Sequence, residues 1–248
     1  MGKLARSLEE ALRCVADGST VATGGSTLSR KPMAAARHLA SSGVSNLEIV
    51  TFTGSLEVEE LVSADAVRAV RSSYVGLGPH GRAKAFCAAV EQRQIEDLEE
   101  SEWMLLGRLR AAAAGIAFMP TRAAIGSQLL DGKALKTVRD PYTGIELLAL
   151  PPLRPQVCLL HAWRADTEGN VQLPALREHL WDIDILLARA SEIVVVTAEH
   201  VLEVDELAEQ PELTVLHSFE VDWVVHAPEG AAPTASPPDY AADIAAIT

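Results

Sequence analysis

Ile193-Val194-Val195-Val196 is a run of consecutive β-branched apolar residues, and such a run fits a strand buried on both faces. A strand with one wet face would instead alternate apolar and polar positions. Gln156 to Ala162 is a second apolar run of buried-strand length. Helices able to cover such strands are also legible: Arg177 to Ala190 carries Leu180, Ile183, Leu186 and Leu187 at helical spacing.

The N-terminal half repeats the alternation. Ser7-Leu8-Glu9-Glu10 has the form of a capping box, with Leu8, Leu12 and Val15 following at helical spacing until Asp17-Gly18. Thr20 to Thr23 reads as a strand ending in Gly24-Gly25-Ser26, and Pro32 to Leu39 as the next helix, with proline in its first turn. Leu47 to Phe52 is a strand, Thr53-Gly54-Ser55 a loop and Leu56 to Ser63 a helix. Val67–Val70 and Ser73–Val75 form the next extended segment, broken by Gly76, Gly78, Pro79 and Gly81 before a helix over Lys84 to Gln92. Glu146 to Leu150, Thr214–Leu216 and Val221–Val225 are further extended segments. This order predicts an α/β fold with a mainly parallel sheet covered by helices on both faces. No linker or internal repeat is visible, so one domain is expected over 1–248, with an irregular Ala/Pro-rich tail from about 228 docked near Asp239-Tyr240.

Charge limits the partners. Lys and Arg number 21 against 34 Asp and Glu, a net charge of −13, which argues against nucleic acid, whose binding depends on Lys/Arg contacts to phosphates. A local basic cluster could still hold a small anion. Cys14, Cys87 and Cys158 are odd in number and far apart, so they read as reduced core thiols. The seven histidines show no His-x3-His spacing, and no Cys-x2-Cys pair is present, so a metal site is not expected. No run approaches the roughly 18 apolar residues of a membrane span. The charged amphipathic start at Met1-Gly2-Lys3-Leu4-Ala5-Arg6 differs from a signal segment. A cytoplasmic protein without a membrane partner is therefore expected.

Three loops could carry chemistry. Gly24-Gly25-Ser26 leads to Arg30-Lys31-Pro32 at a helix start, a combination suited to a carboxylate or phosphate, although its spacing matches neither a P-loop nor G-x-G-x-x-G. Gly76-Leu77-Gly78-Pro79-His80-Gly81 would allow close backbone approach to a ligand. Glu99-Glu100-Ser101-Glu102 opens an apolar helix from Trp103 to Ala114, followed by a loop with Arg122 and Gly126-Ser127. Glu102 could be a carboxylate stabilised by a helix N-terminus or a catalytic group in a cleft. Asp166-x-x-Gly169-Asn170 reads as a turn closed by the Asp166 side chain.

Gly24-Gly25 with Arg30-Lys31-Pro32-Met33, Glu102, Phe118-Met119-Pro120-Thr121-Arg122 with Gly126-Ser127, Ala165-Asp166 with Gly169-Asn170, Glu192-Ile193-Val194, and Ala227-Pro228-Glu229-Gly230-Ala231 with Asp239-Tyr240 follow one another in an order that resembles the α-subunit of family I CoA-transferases. The glutaconate CoA-transferase type is the particular likeness and, within it, the branch of steroid ring-opening CoA hydrolases. The resemblance implies a fold of the NagB/RpiA/CoA-transferase type. It also implies a β-subunit of the same family as partner, in an αβ or α2β2 heteromer, and an acyl-CoA site at the subunit interface. No permanently bound cofactor is implied, coenzyme A being part of the substrate.

In ordinary members a β-subunit glutamate attacks the thioester, and this chain would shape the pocket. Gly24, Gly25, Ser26, Arg30, Gly76, Gly78, Arg122 and Gly126 would then be the substrate-binding positions. The Gly24–Gly25 amides and Arg122 would serve as oxyanion donors, and Arg30 would meet a substrate carboxylate. In the hydrolase branch the essential glutamate lies on the α-subunit, at the position of Glu102, and acts as general base on water to open a cyclic β-keto acyl-CoA. Gly25-Ser26 stands where that branch usually carries an aromatic residue, a departure that bears on steroid-ring specificity. A non-catalytic scaffold for a catalytic β-partner is the third expectation.

Overall fold

The computed structural model describes residues 2–247. Its first half runs α1 (Leu8–Leu12), β1 (Thr20–Ser26), α2 (Met33–Ser42), β2 (Leu47–Gly54), α3 (Leu56–Ser63), β3 (Val67–Val75), α4 (Lys84–Glu91), β4 (Glu96–Asp97) and α5 (Glu102–Ala113). Three short strands follow, β5 (Met119–Thr121), β6 (Lys136–Arg139) and β7 (Glu146–Leu150). The chain then forms β8 (Val157–Asp166), β9 (Val171–Gln172), α6 (Asp182–Ala190), β10 (Ile193–Leu202), α7 (Val204–Leu207), β11 (Thr214–Leu216), β12 (Trp223–His226) and α8 (Ile244–Ile247).

Parallel pairings set the order β12-β10-β8-β1-β2-β3-β4, with β9 and β11 added antiparallel at the carboxyl end of β8. Helices α1 to α4 cover one face through Leu12, Leu39, Leu61 and Phe86, and α5 and α6 cover the other through Leu105, Leu109, Ile183 and Leu187. Adjacent strand positions serve opposite faces: Val21 against Ala22, Ile49 against Val50, Val157 against Cys158 and Val195 against Val194. Both faces are therefore apolar, which is why these strands show no polar alternation. The expected parallel α/β architecture is the one observed. Among the described residues, no helix is long and apolar enough to cross a membrane.

Several boundaries depart from expectation. The helix expected from Arg177 begins at Asp182. Leu180 takes φ +68°, a left-handed conformation that a helix cannot run through, and the Arg177 guanidinium stacks on Trp181 at 4.2 Å. Helix α1 ends at Leu12, and Val15 only closes a turn onto the Leu12 carbonyl. The segment from Met119 to Leu150 builds an unforeseen second sheet, antiparallel in the order β5-β7-β6. It packs through Leu148 and Leu150 on Met104 of α5, with Met119, Ala123 and Ala124 against the same cluster. The stretch from 228 is largely irregular and docked on the body, with Ala231, Thr234 and Ser236 all buried.

Candidate active site

The chain passes from β1 outward to β4 and returns on the other flank of β1 as β8. The carboxyl ends of β1 and β8 thus mark the switch point where open parallel sheets usually receive ligands. Here the protein fills that crevice itself. Gly24 leaves no room for a side chain, because a Cβ would lie 2.4 Å from Leu160 Cδ2 and 2.7 Å from Asp184 Oδ1. Gly25 adopts φ +77°, and its N–H donates to Asp184 Oδ1 at 2.8 Å. Arg30 is buried in the same crevice, paired with Asp184 at 2.8 Å and with Glu178, and donating to the His161 carbonyl at 3.0 Å. Lys31 is buried as well, 2.9 Å from Glu57 and donating to the Gly24 and Gly25 carbonyls. The two basic residues read as an anion site are thus internal ties. Arg30 does not reach solvent to meet a substrate carboxylate, and the Gly25 amide is not free for an oxyanion.

Beside this crevice, three loops lie together at the carboxyl ends of β1, β2 and β3. Thr27 donates its N–H to Thr53 Oγ1 at 3.2 Å, and the Ser55 hydroxyl donates to the Thr27 carbonyl. The Gly76 N–H meets the Gly54 carbonyl at 3.0 Å, and the Gly78 N–H meets Tyr74 Oη at 3.1 Å. Ser26 and Ser29 exchange backbone bonds across their own turn at 2.9 Å. The amides of Gly25, Ser26, Gly76 and Gly78 are therefore all engaged inside the protein. The glycines in these loops provide shape and close packing, not hydrogen-bond donors.

Glu102 opens α5 and is exposed, directly after the cap at Ser101, whose hydroxyl accepts the Met104 N–H at 3.3 Å. The acidic run before it is firmly placed. The Glu100 N–H bonds the Ser72 carbonyl of β3 at 3.0 Å, and its buried carboxylate holds Arg71 at 2.7 Å and Arg108 at 2.9 Å. The β3 contact brings Glu102 to the same sheet edge as the glycine loops. Arg122 and Gly126 lie exposed on the loop after β5, where Ala123 and Ala124 share an apolar cluster with Met104 of the first turn of α5. This region also exposes Trp103 (66%), Ile125 (47%), Tyr142 (95%) and Ile145 (44%). Two surface clefts, of about 380 and 340 Å³, lie away from these loops, one beside α1 and α2 and one on the small sheet.

Sequence reasoning did not find the group formed by buried His161 and Glu199 with half-buried Tyr240. Glu199 Oε1 accepts from His161 Nε2 at 2.7 Å and from the Tyr240 hydroxyl at 2.5 Å, while Oε2 accepts the Glu229 N–H at 2.6 Å. Thr197 Oγ1 lies 2.9 Å from His161 Nδ1. Polar residues within and just after continuously apolar strands were the available signal. Burial acts to raise the Glu199 carboxyl, but its donors outweigh it and hold the group lowered to about 2. Burial likewise lowers His161 and outweighs the attraction of Glu199. In both cases the unfolded chain takes up a proton first, so acid favours unfolding. The melting-temperature advantage of the native protein over Glu199→Gln should be greatest above pH 4.5, the ordinary carboxyl value, and close as pH falls toward 2. An advantage that grows on acidification would contradict this assignment.

The Coenzyme A transferase family model matches residues 5–227, and this chain belongs to that family. It is similar to the cholesterol ring-cleaving hydrolase IpdA subunit of Mycobacterium tuberculosis, at 32% identity over 96% of this chain and 83% of that protein. It is also similar to one of the subunits of 3-oxoadipate CoA-transferase from Pseudomonas knackmussii, at 32% identity over 94% of this chain and 82% of that protein. A relative from Archaeoglobus fulgidus is longer, and this chain spans only 52% of it. Among solved structures, a variant of the decarboxylase AibA/AibB superposes with a TM-score of 0.87 at 31% identity, over 99% of this chain and 91% of that one. Glutaconate CoA-transferase from Acidaminococcus fermentans superposes with a TM-score of 0.91 at 24% identity, over 99% of this chain and 82% of that one, which establishes the shared fold. The chain is thus an α-like subunit of the CoA-transferase family, whose relatives include transferases and a ring-cleaving hydrolase.

Proposed function

We propose that this chain is the α-like half of a heteromeric enzyme that holds an acyl-CoA thioester between itself and a β-subunit of the same family. The observation that carries this reading is the incomplete edge around Glu102. Three shaped loops, an exposed carboxylate and exposed Trp103 and Ile125 lie at or near one end of the sheet, while the amides and basic groups of the glycine turn are spent internally. A partner covering the apolar side chains would limit water at this edge, which protects acyl intermediates from hydrolysis.

In the transferase reading, a partner glutamate attacks the thioester carbonyl and CoA leaves as thiolate. The thiolate then attacks the resulting anhydride, freeing the acyl acid and leaving a glutamyl-CoA thioester that passes CoA to an acceptor carboxylate. This chain shapes the pocket, with Gly24, Gly25, Ser26, Gly76 and Gly78 forming its wall and Arg122 and Gly126 its outer rim.

A second reading is favoured by the placement of Glu102 at a capped helix start and by the similarity to a ring-cleaving hydrolase subunit. Glu102 would take a proton from water, and the hydroxide would add to a ring ketone. The adjacent carbon–carbon bond would break, leaving a thioester enolate that a proton then quenches.

Co-expression with the neighbouring open reading frame, followed by incubation with acyl-CoA and acetate and then borohydride, separates these chemistries. Inactivation that requires acyl-CoA and maps to a partner glutamate is the expected result. Isolation of this chain as a stable monomer that binds CoA unaided would overturn the heteromer. Full turnover without trapping, indifferent to Glu102→Gln, would reduce this chain to a scaffold.

A further inference from the structure

The segment after β12 turns at Ala227–Gly230 and runs beside the connection from β1 to α2. Ala34 donates its N–H to the Gly230 carbonyl at 2.8 Å, and Arg30 to the Ala235 carbonyl at 2.7 Å. Ala235 donates to the Leu28 carbonyl at 2.8 Å, and Lys31 to Thr234 Oγ1 at 3.3 Å. Residues 230–235 thus clamp residues 28–34, the stretch that closes the glycine turn.

The turn needs such a clamp. Thr27 and Arg30 sit at φ +49° and +51°, a conformation that residues with a side chain resist. Glu199, at the carboxyl end of β10, holds the clamping segment at both ends. One oxygen takes the Glu229 N–H, and the other takes the hydroxyl of Tyr240, which itself accepts the Ala231 N–H at 3.1 Å. His200 and Asp239 add an outer tie at 2.9 Å.

We propose that Glu199 and Tyr240 are positioning residues: they latch residues 229–240 as a strap, and the strap fixes the Ser26–Arg30 turn in its working shape. Opening the latch releases the turn while the sheet remains intact. The effect on ligand binding rests on the function proposed above, whereas the effect on the turn does not.

Hydrogen exchange on the assembled complex tests the latch, using Tyr240→Phe as the mild variant and Glu199→Gln as the stronger one. Amide exchange over 26–36 should accelerate at least about tenfold in each, the scale of losing one hydrogen bond to a charged group. Exchange in β2 and β3 should stay at the native rate, and the Kd for coenzyme A should rise by a similar factor. Unchanged exchange over 26–36 in both variants would overturn the proposal. So would an equal acceleration throughout the sheet, which is what a merely structural role predicts. Local acceleration with an unaltered Kd would uphold the latch and move the turn out of the CoA site, overturning that part of the function reading alone.

Discussion

Replacing Glu57 by alanine is expected to destabilise the protein by about 3–5 kcal/mol, the scale for breaking a buried ion pair from one side. Glu57 and Lys31 are both 0% exposed and 2.9 Å apart. Removal of the carboxylate leaves the ammonium with the Gly24 and Gly25 carbonyls and Thr51 Oγ1 as its remaining partners, at 3.1, 3.2 and 3.4 Å. It also strips the acceptor from the Ser55 N–H, so the loops after β1 and β2 keep only the Thr27–Thr53 and Ser55–Thr27 bonds between them. For a chain of this size, each kcal/mol shifts the melting temperature by roughly 2–4 °C, so a drop of roughly 6–20 °C is expected. Lys31→Met should cost a comparable amount, and Lys31→Met with Glu57→Leu should cost less than the sum, because neither charge is then stranded. Additive losses in calorimetry would show that the pair does not act as a unit.

The second large effect belongs to Glu102 in the assembled enzyme. On the hydrolase reading, Glu102→Gln should lower the hydrolysis of a cyclic β-keto acyl-CoA by about 10²–10⁴-fold, the usual contribution of a general base. The same variant should leave any transfer of CoA to acetate within about tenfold of the native rate, since in the transferase reading that chemistry runs on a partner carboxylate. Glutamine keeps the size of the side chain, and the position is exposed with the helix capped by Ser101, so the melting temperature should barely move. Ring opening that persists at the native rate would remove Glu102 from the mechanism.

Much of the architecture was legible because the signals were local or periodic. Ser7 caps α1 and accepts the Glu10 N–H at 3.2 Å, although the Glu10 carboxylate takes the Arg6 N–H at 2.8 Å and so does not complete the capping box, and helix α3 runs over Leu56–Ser63 as read. Asp166 closes its turn with bonds to the N–H groups of Glu168 and Asn170, both at 2.9 Å. The site was less legible. Arg30 and Lys31 look like surface cations beside a glycine turn, and nothing within ten residues announces that Asp184, Glu178 and Glu57 will enclose them. The second sheet was missed because β5 and β6 are short and half-exposed, with Pro120 inside β5. Glu102 was found at a helix start, because a run of acid around a serine cap is a local signal.

The position of β1 has a consequence for biosynthesis. Its finished flanks are β2 and β8. The first follows almost at once, whereas β8 begins at Val157 of a chain of 248 residues. The N-terminal βα units therefore leave the ribosome as a sheet whose β1 flank is an unpaired apolar edge. Non-local closure of this kind is slow, and open edges invite aggregation before it is complete. The strand at the middle of the finished sheet is thus an outer edge from the completion of β2 at Gly54 until β8 is made from Val157 onward, and yield on overexpression should depend on how well that edge is shielded meanwhile.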